Sequence, residues 1–186
     1  MSDFAQLDAD RQQLRSVLEN YARAQALNSL SLELICAQGL APFSRILTAR
    51  LAELFGCKGS VLALTHGDQV RIVHLQTESA MLSARSLRSI VGKGLVEVSQ
   101  RHTEDILEIP ASDVVGFGLA DELGWKTFLI AKLPGNDGSP LRLMCLIDPQ
   151  STSHEDLDTL RQLASYVSTA LENLRNVSQV TQASRQ

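Results

Sequence analysis

Hydrophobic positions return at helical spacing from the start of the chain. Phe4, Leu7, Leu14, Leu18 and Tyr21 recur among Asp8, Asp10, Arg11, Arg15, Glu19 and Arg23, the pattern of an amphipathic helix. From Ala24 to Cys36 the only charge is Glu33. Leu27, Leu30 and Leu34 continue the stripe there, while Leu32 and Ile35 widen it, so this half is expected to be the more deeply buried. No Gly or Pro interrupts the first 38 residues; Gly39 then reads as a helix stop and Pro42 as the next helix start. A second amphipathic helix over 42–55 turns Phe43, Ile46, Leu47, Leu51 and Leu54 inward and ends at Gly56.

Strand patterns follow. Residues 60–65 and 70–75 read as a hairpin with Gly67-Asp68 at its turn. A polar stretch to about Ser86 fits a loop or a short helix equally. Gly92-Lys93-Gly94 reads as a break before a helix over 95–101, and a glycine break opening a helix could offer backbone N–H groups to an anion, with Arg85, Arg88 and Lys93 nearby. Residues 106–109 form a short strand closed by Pro110, and 119–123 another short helix. Two nearly all-apolar strands, 127–133 and 141–147, flank the turn-rich segment 134–140 and should lie mid-sheet with both faces covered.

The last element is the most regular. Ser153 with Glu155 and Asp156 marks a helix N-terminus. Beyond it, Leu157, Leu160, Ala164, Val167, Leu171 and Leu174 are spaced 3, 4, 3, 4, 3, a heptad seam. The polar residues 179–186 read as a frayed tail. The organisation expected is therefore a long first helix over 1–41, a domain over 42–178 that includes the last helix, and the tail.

Composition narrows the function classes more than it names one. The 186 residues are 44% hydrophobic, enough for a proper core, and the net charge of −4 forces no basic face for nucleic acid. Aromatic residues are only 4% and Trp125 is the single tryptophan, which argues against base-stacking platforms. No apolar run approaches the ~20 residues of a membrane span, and Met1-Ser2-Asp3-Phe4 does not open a secretory signal. Three scattered cysteines, Cys36, Cys57 and Cys145, form neither a disulfide framework nor a CxxC motif, so reduced thiols in a cytoplasmic protein are expected.

The order of elements, taken with four stretches, resembles a GAF domain, the small-molecule sensing module of many signalling proteins. The stretches are 43–56 (FSRILTARLAELFG), 94–98 (GLVEV), 123–130 (LGWKTFLI) and 156–164 (DLDTLRQLA), and the resemblance runs from about Pro42 to Leu174. It implies an α+β fold, related to PAS domains. A central antiparallel sheet carries the long N- and C-terminal helices on one face; short helices and loops enclose a pocket on the other. It also implies a homodimer through the terminal helices. Pocket candidates are Leu95, Val98, His102, Trp125, Thr127, Leu129 and Met144. Candidates for the dimer helices are Leu7, Leu14, Leu18, Tyr21, Leu157, Leu160, Ala164, Val167, Leu171 and Leu174.

No catalytic constellation accompanies this frame. His66, His74, His102 and His154 fall in no metal-binding spacing, so no catalytic residue and no metal site is assigned. Some relatives reduce free methionine sulfoxide with clustered cysteines, but here only Cys57 has a setting that suggests reactivity, and it lacks a nearby resolving thiol. Relatives that bind linear tetrapyrroles (bilins) use a cysteine usually followed by histidine, and no Cys-His pair exists. Of the cyclic-nucleotide motif, residues 149–156 retain only the acids. The expected function is a cytoplasmic sensory or regulatory domain that binds a small molecule and signals to a separate protein, with no membrane or nucleic-acid partner. The alternative is a ligand-free dimerisation or docking module, and a thiol-dependent reductase is the third class.

Overall fold

The computed structural model describes residues 2–66, 69–77, 84–135 and 141–183. Its elements run α1 (Ser2–Cys36), α2 (Leu40–Phe55), β1 (Gly59–His66), β2 (Gln69–Thr77), α3 (Ala84–Arg101), β3 (Ile106–Pro110), α4 (Ala111–Val115), α5 (Phe117–Leu123), β4 (Thr127–Lys132), β5 (Arg142–Ile147) and α6 (His154–Ala183). The strands form one antiparallel sheet in the order β2-β1-β5-β4-β3. β5 and β4 therefore sit inside it, which explains their unbroken apolar runs.

Helices α1, α2 and α6 cover one face of the sheet, burying Leu30, Leu34, Phe43, Leu47, Leu51, Leu160, Leu163 and Val167 against Leu62, Leu129, Met144 and Leu146. Helices α3, α4 and α5 cover the other face, where Leu87, Val91, Leu95, Val98 and Val114 meet Val61, Ala63, Phe128, Ile130, Leu143, Cys145 and Ile147. The period of two along each strand divides its side chains between the two cores. β2 departs from it at a bulge. Leu62 pairs with His74 and Ala63 with Ile72, which leaves Val73 as the extra residue. Val73 packs into the helical-side core, and His74 Nδ1 lies 2.9 Å from Thr48 Oγ1 on α2.

Helix ends follow local chemistry. Gly56 and Gly124 close α2 and α5 in the left-handed conformation that glycine adopts at little cost. At the start of α6 the Asp156 N–H donates to Ser153 Oγ while the Ser153 N–H donates to Asp156 Oδ2, a reciprocal cap. Arg23 on α1 pairs with Asp156 at 2.9 Å, tying the first helix to the last.

Three expectations change. Gly92 and Gly94 lie inside α3, which begins at Ala84, so the glycines do not open a helix and offer no free N–H groups to an anion. Residues 111–115 form a helix that the sequence pattern leaves unmarked. The polar end of the chain continues α6 as helix to Ala183. The hairpin turn Gly67-Asp68 and residues 136–140 lie outside the described residues.

Candidate functional site

The face of the sheet beneath α3, α4 and α5 is where the sequence places a pocket. Leu95 and Val98, one turn apart on α3, are buried there. Trp125 is also there, only 5% exposed, and its ring meets Phe128 edge to face with centroids 5.7 Å apart and planes at 74°. Gly124 positions it by turning the chain in the left-handed conformation immediately before β4. Thr127 is half-buried, and its N–H donates to Asp148 Oδ1 at 2.7 Å.

Leu129 and Met144 are on the opposite face. Both belong to the core under α1, α2 and α6, so they are not pocket residues. Their neighbours Phe128, Ile130, Leu143 and Cys145 line the α3–α5 face instead. An all-apolar strand carries no alternation to fix its phase, and a one-residue slip exchanges the two faces. His102 is exposed just beyond α3; its imidazole lies 3.8 Å from Glu104, and its backbone carbonyl accepts from Lys132 Nζ. It does not join the buried candidates.

Among the described residues this face is filled by packed side chains. Leu95, Phe128, Ile130, Leu143 and Cys145 are each fully buried in it. Among the described residues no buried side-chain nitrogen or oxygen lacks a hydrogen-bond partner. Two open clefts lie elsewhere. One of about 320 Å³ at the corner of α1, α2 and α6 is lined by Arg23, Glu53, Gln150, Ser153 and Asp156 among others. A second of about 220 Å³ lies between α1 and α2. The first is crossed by the Arg23–Asp156 ion pair.

The thiols are dispersed. Cys36 is exposed at the end of α1, Cys57 is half-buried before β1, and Cys145 is fully buried in β5. Burial pushes the thiols of Cys57 and Cys145 up from their ordinary value, which suppresses the thiolate. His74 is held neutral chiefly by burial, with the charges of Arg88 and Arg45 adding to the effect. No group of three or more His, Cys, Asp or Glu side chains among the described residues is placed to hold a metal ion.

Of the dimer-helix candidates, Leu160, Ala164, Val167 and Leu171 are buried in the core beneath α6, with Leu157 and Leu174 packed against its edge. Leu160, Ala164, Val167 and Leu171 of the last helix's heptad seam are thus spent on the chain's own core. Leu14, Leu18 and Tyr21 are 61%, 60% and 67% exposed. The Leu7 side chain lies outside the described residues.

No protein-family model and no curated protein matches the chain. Solved structures do. The GAF domain of a protein described as a sensor histidine kinase from Pseudomonas syringae pv. tomato superposes with a TM-score of 0.62 at 18% identity, covering 91% of this chain and 98% of that one. The GAF domain of a phosphoenolpyruvate-protein phosphotransferase from Coxiella burnetii gives 0.64 at 17% identity, with 84% and 96% covered. This chain has the GAF-domain fold. A further structure with this GAF-type architecture is the free methionine-R-sulfoxide reductase from Neisseria meningitidis, at a TM-score of 0.60 and 14% identity over 83% of this chain and 91% of that one. The GAF fold thus supports both sensory domains and an enzyme among these neighbours, and identities this low carry the architecture alone.

Proposed function

We propose that this GAF-fold domain is a regulatory module that acts through contacts with other polypeptides, with its ligand face closed by its own side chains. The observation that carries the reading is Trp125. Its indole is seated against Phe128 in a core that includes fully buried Leu95, where a sensing domain would need a cavity of a few hundred Å³ and several converging polar groups. Bilins and cyclic nucleotides have no place in this reading. The GAF domains of the kinase and phosphotransferase neighbours support a regulatory role by analogy of fold. The reductase relative does not transfer as readily, because Cys36, Cys57 and Cys145 occupy a helix end, a turn and a central strand. A cytoplasmic setting suits three unpaired thiols, and no helix among the described residues is long and apolar enough to cross a membrane.

Native mass spectrometry of the purified chain, followed by thermal-shift measurement against a metabolite panel, tests the proposal. The expected result is the bare polypeptide mass and no ligand-dependent shift. A stoichiometric co-purified molecule would overturn it.

A further inference from the structure

The two edges of the sheet are built differently. β3, at one end of the strand order, has five residues, closes on Pro110 and carries the exposed carboxylate of Glu108. Shortness, proline and charge are the usual means of keeping an edge from pairing. β2, at the other end, runs nine residues from Gln69 to Thr77 without a proline. β1 is its only strand partner, and among the described residues no backbone group outside β1 bonds to residues 70–76. The outer side of β2 therefore presents main-chain donors and acceptors for pairing.

The surroundings of this edge are cationic. Arg71 is exposed on β2 itself and lies on the α2 side of the sheet, opposite to Ile72, which enters the core under α3. The bulge at Val73 turns both Val73 and His74 toward α2. Arg45 on α2 and Arg88 on α3 both act on His74, so cations from the two layers reach the same stretch of the edge. Arg85 lies one turn before Arg88 on α3. Arg45, Arg71, Arg85 and Arg88 are all exposed, and none has an ion pair among the described residues. Arg15, Arg23, Arg50, Arg142 and Arg161, by contrast, each hold a carboxylate. Positive charge is thus gathered along one strand edge of a chain whose net charge is −4.

We propose that β2 receives an extended, acidic segment of a partner protein as a sixth strand, its carboxylates met by Arg45 and Arg71 from the α2 side and by Arg85 and Arg88 from the α3 side. In strand addition the main-chain bonds supply affinity, and side chains alternating to the two faces supply selection. Here both faces select acids, since guanidinium groups match carboxylates with paired N–H donors. A second copy of β2 is disfavoured as the occupant, because it would bring Arg71 and the same flanking arginines against these.

The inference rests on reading the chain as a contact module. A co-purified ligand would end that reading whatever happens at β2, whereas peptide binding addresses β2 alone. The experiment is fluorescence anisotropy of the full chain with a labelled octapeptide, Glu-Glu-Val-Val-Glu-Glu-Val-Val, which places carboxylates on both faces of a strand. Saturable binding is expected, weakened by added salt and by about tenfold or more in Arg45→Glu/Arg88→Glu. The variant should keep the wild-type thermal midpoint, because both side chains are exposed. The same peptide N-methylated at every amide retains its charge but lacks donors, and it is expected not to bind; nor is a counterpart with Lys in place of Glu. No binding to the wild-type chain, binding indifferent to the double-Glu change, or equal binding of the N-methylated or Lys peptide would each overturn the proposal.

Discussion

Gly94 on α3 and Val114 on α4 are in backbone contact: a Cβ built on Gly94 would stand 1.8 Å from the Val114 carbonyl oxygen. That contact explains why a glycine interrupts an otherwise good helical pattern. Helix α4 lies so close against α3 that only a hydrogen fits between them. Gly94→Ala is expected to cost about 3 kcal/mol, since the atom it meets is backbone and cannot rotate aside. For a chain of this size the thermal midpoint should fall by roughly 6–12 °C. Circular dichroism melting checks this, and an unchanged midpoint would mean the two helices are not in contact.

Trp125 provides a direct test of the closed ligand face. Trp125→Ala should destabilise the domain by about 3–5 kcal/mol and leave an apolar cavity beside Phe128. Such cavities stay dry and accept small apolar guests. Indole is therefore expected to raise the melting temperature of the variant and leave the wild-type chain unaffected. Equal shifts in both would reveal a space that the native side chains do not fill.

Asp148 links pH to stability. Burial alone would raise its carboxyl, but Lys58 Nζ at 2.8 Å and the N–H groups of Thr127 and Lys126 outweigh that and hold it below the usual carboxylate value. A depressed folded-state value contributes stability above the unfolded-state value, near 4, and this is lost as pH falls through the folded value. Asp148→Asn keeps the left-handed backbone at φ 48°, which Asn tolerates. The variant should be less stable at neutral pH and should show a shallower decline on acidification. Urea titrations from pH 7 to about pH 3 measure both. Parallel curves for the two proteins would refute the assignment.

Thiol reactivity should follow burial. Cys36 is expected to react with a chromogenic disulfide reagent first, Cys57 slowly, and Cys145 only on unfolding. Mass mapping of the modified sites gives the order. Rapid labelling of Cys145 in the folded chain would contradict its position in the central strand.

Much of the architecture is legible in the sequence because amphipathic pattern and turn residues agree. The capped start of α6 at Ser153, the stop at Gly56 and the two central strands all follow from local chemistry. The ligand face is less legible for a definite reason. β4 and β5 bury both sides, so hydrophobicity does not say whether Leu129 or Phe128 faces α3. Trp125 is a misleading guide to phase, since it precedes β4 and does not share the strand's alternation. Arg142 offers a better signal. Its side chain reaches Glu172 and the Ser168 carbonyl on α6, and two residues later Met144 must share that face. The heptad spacing of α6 marks a true seam, yet spacing alone does not say whether a helix meets its own sheet or another chain.

The buried and exposed sides of α1 have one more consequence. Leu30 and Leu32 sit two residues apart on a continuous helical rod, one fully buried in the core and the other facing outward. A helix cannot turn one side without turning the other. Any torque applied to the exposed side is therefore delivered to Leu27, Leu30 and Leu34, and through them to the sheet, with no hinge between to absorb it.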